Sequence, residues 1–197
     1  MHLKSNHFTI VILSYNNEDW VKKNLSSAIN QDYDNYDIVY VEDASTDNTL
    51  NKVKEYQKQW SHKKGIFKLI CNKENVRALP NLYQAVDCAK NGSIIVALDG
   101  DDWLVNDQVL NKLNLIYQNE NTWITAGSYL IKHWDQIQIF CLGIAVLVDC
   151  ISQGRILLRK TKIHHTVVIY FDLFGYQVST TLQQIYFDAD LVLLHDD

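Results

Sequence analysis

Six uncharged residues, Ser93-Ile94-Ile95-Val96-Ala97-Leu98, run directly into Asp99-Gly100-Asp101-Asp102-Trp103. An apolar run of this length, rich in β-branched side chains, predicts a strand buried on both faces. Strands of that kind belong to parallel sheets covered by helices, and such sheets bind ligands in the crevice beyond the carboxyl ends of the strands. The acidic cluster therefore falls where the fold places chemistry. On extended backbone Asp99 and Asp101, two residues apart, point to the same side. Two like charges that close favour a cation between them. Hard carboxylate oxygens suit Mg²⁺ or Mn²⁺, which usually takes one or two carboxylates together with substrate phosphates. A solvated acidic turn is the plainer reading of the same residues.

The rest of the chain supplies the partners such a strand needs. Strands are predicted over residues 8–14, 37–41, 66–71 and 122–131. Helices are predicted between and after them, over 18–31, 48–60, 79–90 and 107–117. In the first, Trp20, Val21, Leu25, Ala28 and Ile29 recur at helical spacing, and in the third Leu79, Leu82, Tyr83, Val86 and Ala89 do. Ser45, Asp47 and Asn106 are candidate caps, Pro80 fits a first helical turn, and Asn91-Gly92 reads as a helix stop. Strand and helix alternate, so the expected class is α/β: a mostly parallel, Rossmann-like sheet with helices on both faces.

Composition narrows the function. The 197 residues suffice for one domain with a core, or one domain and an appendage. The net charge of -5 carries no nucleic-acid footprint. Cys71, Cys88, Cys141 and Cys150 show no metal or disulfide spacing and read as free thiols. The apolar runs at 8–13 and 137–148 are too short to span a bilayer, and no cleavage signal opens the chain, so the expected location is cytoplasmic.

The composition changes abruptly late in the chain. All 17 Asn lie at or before Asn121, and all five Glu at or before Glu120. At the earlier frequency about ten Asn would be expected in the remainder. Two explanations stand: an independently evolved module, or a change of reading frame near residue 132. The frame change is preferred, because apolar runs such as 139–148 lack a clear period and local patterns conflict with a clean fold. The division is thus a core over 1–131 and a divergent tail over 132–197, expected to pack poorly.

Three further motifs end strands at the same expected edge. Ser14-Tyr15-Asn16-Asn17-Glu18 follows the first strand, where a polar turn can hold a base or phosphate and Tyr15 can stack on a base. Glu42-Asp43-Ala44-Ser45-Thr46-Asp47 follows the second, and one Asp there could accept hydrogen bonds from a base or ribose. Asn75-Val76-Arg77 follows the third, and the Arg77 fork matches diphosphate oxygens. Each motif alone also reads as helix capping or solvated surface.

In order and spacing these pieces resemble glycosyltransferase family 2, with the GT-A fold. The resemblance rests on Ile10-Val11-Ile12-Leu13-Ser14-Tyr15-Asn16; Ala28 through Gln31-Asp32-Tyr33; Val41 through Thr49; Glu74-Asn75-Val76-Arg77-Ala78 through Asn81; and Leu98 through Trp103. It implies an inverting, metal-dependent transfer of sugar from a nucleotide-diphosphate sugar, first of all a UDP-sugar, to a hydroxyl of a glycan, lipid or protein acceptor. Carried over, Ser14, Tyr15 and Glu18 border the nucleotide, Asp43 contacts base or ribose, and Asp99 lies near ribose and donor sugar. Asp101, with Asp99, ligates Mn²⁺ or Mg²⁺. Leu13, Ala44 and Arg77 depart from a frequent Pro, Gly and Gly. The family's catalytic base lies beyond the Asp-x-Asp strand, where Asp188 and Asp190 are the nearest candidates; without a convincing match there, weak transfer is expected.

Two other readings remain. Haloacid-dehalogenase-like phosphatases also place Asp-x-Asp after an apolar strand, with Asp99 as nucleophile and Asp101 as acid/base, but Trp103 and the mid-chain position argue against this. A non-catalytic nucleotide-binding remnant is the third. No Gly-x-Gly-x-x-Gly follows the first strand, which argues against dinucleotide oxidoreductases.

Overall fold

The computed structural model describes residues 3–60, 65–120, 122, 124–133, 136–140, 166–169 and 186–195. In chain order the elements are β1 (Phe8–Ser14), α1 (Val21–Ile29), β2 (Tyr36–Glu42), α2 (Thr49–Gln59), β3 (Phe67–Cys71), α3 (Ala78–Asp87) and β4 (Ile94–Asp99). There follow β5 (Trp103–Leu104), α4 (Val109–Ile116), β6 (Ile124–His133), β7 (Gln136–Phe140), β8 (Thr166–Ile169) and β9 (Tyr186–His195). Most of the tail predicted over 132–197 lies outside the described residues.

The strand order is β3-β2-β1-β4, continuing through β8, β6 and β9 to β5, with β7 on β6. The first four strands are parallel, so their carboxyl ends share one edge. The register sets Ser14 beside Glu42, Glu42 beside Cys71, and Leu13 beside Asp99. The chain runs outward from β1 through β2 to β3, then crosses back to β4 on the other side of β1. The carboxyl ends of β1 and β4 therefore form the point where strand order reverses, which is where open α/β sheets leave a crevice.

Alternation along the buried strands sorts side chains to two faces. Phe8, Ile10, Ile12, Ile38, Tyr40, Val96 and Leu98 pack with Val21, Leu25 and Ala28 of α1 and with Leu110 and Leu113 of α4. Val11, Val39, Val41 and Ile95 face the other way, onto Ala85 of α3. Helices thus cover both faces, as the alternation of elements predicts.

Three local expectations are corrected. Leu79 and Tyr83 do not join the buried face of α3; they are 43% and 41% exposed. The helix turns Asn81 inward instead, where its Oδ1 accepts from Asn72 Nδ2 at 2.7 Å, so a polar anchor overrides the apolar stripe. Second, α3 ends at Asp87, and Gly92, at φ 79°, belongs to the turn entering β4 rather than to a helix stop. Third, Asp99 and Asp101 are not on one extended strand. The chain turns at Gly100-Asp101, with Asp102 N–H donating to the Asp99 carbonyl at 3.2 Å, so alternation does not set their relative direction.

The opposite edge of the sheet is closed by His7. Its Nε2 lies 3.3 Å from Asp37 Oδ2 and its Nδ1 3.1 Å from Ser93 Oγ, which is 2.6 Å from Thr9 Oγ1. Burial pushes the His7 pKa down, the Asp37 carboxylate opposes this, and Lys90 adds to it.

Candidate functional site

The loops after β1 and β2 are laced together by side chains. Asn16, at φ 55°, donates its N–H to Ser45 Oγ at 2.9 Å, and its Oδ1 accepts from Thr46 N–H at 2.8 Å. Asn is among the residues that tolerate a left-handed backbone. Asn17 N–H donates to Thr49 Oγ1 at 2.9 Å, and Glu18 N–H to Asp47 Oδ2 at 3.0 Å. Glu18 Oε2 in turn accepts from Asn48 N–H at 2.7 Å. Asp47 also accepts Thr49 N–H at 2.9 Å, so of the two predicted caps it is Asp47 that serves α2, while Ser45 reaches across to Asn16. Burial pushes the Asp47 carboxyl up, but hydrogen bonds from Thr49 and Glu18 outweigh it and hold the pKa below the usual range.

Asp43 closes β2 with its residue 3% exposed. One carboxylate oxygen accepts from Asn72 Nδ2 at 2.7 Å and Val76 N–H at 2.9 Å; the other accepts from Arg77 N–H at 2.9 Å. Burial raises its pKa, and hydrogen bonds from Val76, Asn72, Asn81 and Arg77 more than offset that, leaving it lowered. Asp43 therefore clamps the loop between β3 and α3, a duty not visible in its own sequence neighbourhood. That loop carries backbone strain: Arg77 sits at φ 69°, ψ 176°, a region essentially reserved for glycine. Ala44 is also left-handed, at φ 61°. Both stand where the resemblance expects Gly. The Arg77 side chain is exposed on the same edge.

The acidic turn is held at three points. Gly100 N–H donates to the Leu13 carbonyl at 2.8 Å. Asn17, with its amide oxygen toward the turn, accepts from Asp101 N–H at 2.8 Å and donates to the Tyr15 carbonyl. Asn24 of α1 donates to the carbonyls of Asp99 and Asp102 at 2.8 and 2.7 Å. Gly100 is required by contact: a Cβ there would stand 2.7 Å from Ser14 Oγ and 2.8 Å from Ser14 Cβ. Gly100 and Asp102 are buried, whereas Asp99 and Asp101 are partly exposed. Beside the turn, Trp20 and Trp103 stack at 6.0 Å between centroids, and Lys23 Nζ lies 4.6 Å from the Trp103 ring centre.

Among the described residues no three His, Cys, Asp or Glu side chains converge on a metal position. A divalent ion here would take one or two carboxylates from this turn and complete its shell with phosphate oxygens and water, the usual manner of Mg²⁺ at substrate phosphates. Partly exposed Asp99 and Asp101, two residues apart, fit that donor set.

Ser14, Tyr15, Glu18, Asp43, Arg77, Asp99 and Asp101 are thus gathered by four consecutive strand ends and their loops. Ser14 is buried against Gly100, and Tyr15 is 44% exposed. Asp188 and Asp190 lie on β9, with Asp188 opposite Gly127 of β6; their side chains lie outside the described part of the structure. Asn24, Asn72 and Asn81, which hold the edge together, were not among the residues the sequence singled out. Asn24 and Asn81 are buried Asn on helix faces, and that is the signal that could have flagged them; Asn72, in the loop after β3, carries no such signal.

The family described as "Glycosyl transferase family 2" matches residues 9–138. An uncharacterized glycosyltransferase of Haemophilus influenzae is 32% identical over 123 residues, 62% of this chain and 36% of that protein. The UDP-Glc:alpha-D-GlcNAc-diphosphoundecaprenol beta-1,3-glucosyltransferase of Escherichia coli is 28% identical, over 63% of this chain and 46% of that one. This chain thus spans about a third to a half of these relatives. Among solved structures, S. aureus TarS 1-349 in complex with UDP-GlcNAc superposes with a TM-score of 0.56 at 21% identity, over 67% of this chain and 37% of that one. The mannosyltransferase PcManGT of Pyrobaculum calidifontis, in complex with GDP-Man and Mn²⁺, gives 0.52 at 23% identity, over 62% and 34%. Among the described residues no helix is long and apolar enough to cross a membrane.

Proposed function

Because this chain belongs to glycosyltransferase family 2 and has its Rossmann-like GT-A fold, we propose that residues 1–131 form a nucleotide-sugar-binding core. This core would take a nucleoside-diphosphate sugar, with a UDP-sugar as the leading candidate, and use Mn²⁺ or Mg²⁺. One observation carries the reading: the loops after β1, β2, β3 and β4 share one edge, on which strand order reverses between β1 and β4, with Asp99 and Asp101 partly exposed on the turn there. The complexes of relatives of this fold with UDP-GlcNAc and with GDP-Man and Mn²⁺ support the ligand class.

Within this reading Tyr15 stacks on the base, with Ser14 and Glu18 bordering the nucleotide. Asp43 serves the base or ribose and also clamps the β3–α3 loop. Arg77 reaches the diphosphate. Asp101, aided by Asp99, holds the divalent ion, and Asp99 lies near ribose and donor sugar. The ion supplies charge neutralisation for the departing diphosphate. The acceptor hydroxyl attacks the anomeric carbon with inversion while a carboxylate takes its proton, Asp190 or Asp188 being the candidates. The acceptor is a glycan, lipid or protein hydroxyl.

The loss of Asn and Glu after residue 121 supports a divergent tail over 132–197. Transfer by the 197-residue chain is then weak, with slow donor hydrolysis as residual activity. The phosphatase reading has no observation in its favour beyond Asp-x-Asp itself.

The test is calorimetry of UDP binding. Mn²⁺ should tighten binding, and Asp101→Ala should abolish most of that gain with the fold intact by circular dichroism. Equal affinity with Mn²⁺, with EDTA and in the variant would refute the metal site.

A further inference from the structure

Asn24 is fully buried on α1, 75 residues from the acidic turn in sequence, yet its amide nitrogen touches both ends of that turn. One hydrogen goes to the Asp99 carbonyl at 2.8 Å and the other to the Asp102 carbonyl at 2.7 Å. A primary amide has two donors in one plane, so both are spent and the spacing of the two carbonyls is set by one rigid group. Between those carbonyls lie Gly100, packed on Ser14, and Asp101, which is partly exposed where Gly100 and Asp102 are buried. Among the described residues Asn24 Oδ1 has no hydrogen-bond partner, so the polar contacts of this side chain are those it makes to the turn. A buried, unpaired acceptor is costly, and a residue of stability alone would be served by an apolar side chain facing a self-satisfied turn.

We propose that Asn24 is a positioning residue for the metal-binding carboxylate: it fixes the opening of the Asp99–Asp102 turn and thereby the placement of Asp101. The proposal rests on the metal role assigned to Asp101 above. Groups that orient a metal ligand from behind typically influence metal affinity by about 10–100-fold when removed. Asn24 stands in that relation to Asp101 through backbone rather than through the carboxylate itself.

Ser27 provides the matched control. It lies one turn along α1, donates to the Asn24 carbonyl at 2.7 Å, and accepts Leu104 N–H at 2.9 Å, so it also ties the helix to the segment after the turn. Asn24→Leu and Ser27→Ala should both lower the melting temperature. Only Asn24→Leu should erode the Mn²⁺-dependent gain in UDP affinity, by about tenfold or more, with affinity in EDTA unchanged. In an Asp101→Ala background Asn24→Leu should have no further effect on Mn²⁺-dependent binding. If Asn24→Leu does not fold, Asn24→Ser, which keeps one donor, is measured in the same way and should lose part of the gain.

Three outcomes overturn the proposal. If the wild-type gain is abolished by Asp101→Ala but kept in the Asn24 variant, the inference fails alone. If Ser27→Ala loses the gain equally, the effect is general loosening of α1. If the wild type shows no Mn²⁺ gain at all, the metal reading fails and takes this inference with it.

Discussion

Arg77→Gly should make the protein more stable and, by the same substitution, test the diphosphate contact. Arg77 sits at φ 69°, ψ 176°, with its N–H held by Asp43 Oδ2 at 2.9 Å. A non-glycine residue in that region costs about 1–3 kcal/mol. Glycine returns that strain but adds roughly 0.4–1 kcal/mol of unfolded-chain entropy. The net gain is about 0.5–2 kcal/mol, which for a chain of this size raises Tm by about 2–6 °C. Arg77→Ala removes the same guanidinium and keeps the Cβ, so the Gly-minus-Ala difference isolates backbone strain from any lost side-chain contact. Urea and thermal unfolding followed by circular dichroism provide the comparison. If the Gly variant is no more stable than the Ala variant, the strain argument is wrong. Both variants should bind UDP more weakly than wild type; unchanged affinity would remove Arg77 from the diphosphate while leaving the strain result standing.

Other substitutions probe the remaining supports of this edge. Asp43→Asn places an amide against donors and should cost about 2–3 kcal/mol, with weaker UDP binding even in EDTA; unchanged urea unfolding would refute the clamp, and a binding loss seen only with metal would refute the nucleoside role. Gly100→Ala drives a methyl into Ser14 and should cost about 1–3 kcal/mol; Ser14→Gly in the same chain should recover part of it, and a thermally silent Gly100→Ala would contradict the packing. His7 has a folded pKa below its unfolded value near 6.5, so the unfolded chain binds the proton more readily. Its contribution is therefore complete above pH 6.5 and is lost as pH falls from there through the folded pKa. Tm measured from pH 8 to pH 5 should fall less steeply in His7→Gln than in wild type, and parallel profiles would refute the assignment.

The elements differ in how much of their structure is local to their own residues. β1 and β4 were legible because a β-branched run excludes water from both faces and needs no knowledge of its neighbours. Their carboxyl ends were legible as one edge, since alternation with helices forces parallel strands. The Ser14, Asp43 and Asp99-Gly100-Asp101 segments stood out because consecutive strands end on polar clusters at the one edge where such a sheet leaves its crevice. The unfavourable backbone at Ala44 and Arg77 was foreshadowed only by resemblance, as departures from Gly.

What the amino-acid order determined by itself was therefore local: which segments are strands or helices, and which polar clusters end them. It could not reveal that α3 buries Asn81 in preference to Leu79 and Tyr83, because that choice depends on Asn72 arriving from the end of β3. Nor could it reveal that Asp43 grips the Arg77 backbone, that Asn16 reaches Ser45 and Thr46, or that Asn24 spans the acidic turn. The last three of these arrangements are brought together by strand register and helix docking across about thirty to seventy-five residues of chain. Periodicity records which side of an element is apolar. Hydrogen bonds between distant loops depend on where those loops stop in space, and only the packed sheet decides that.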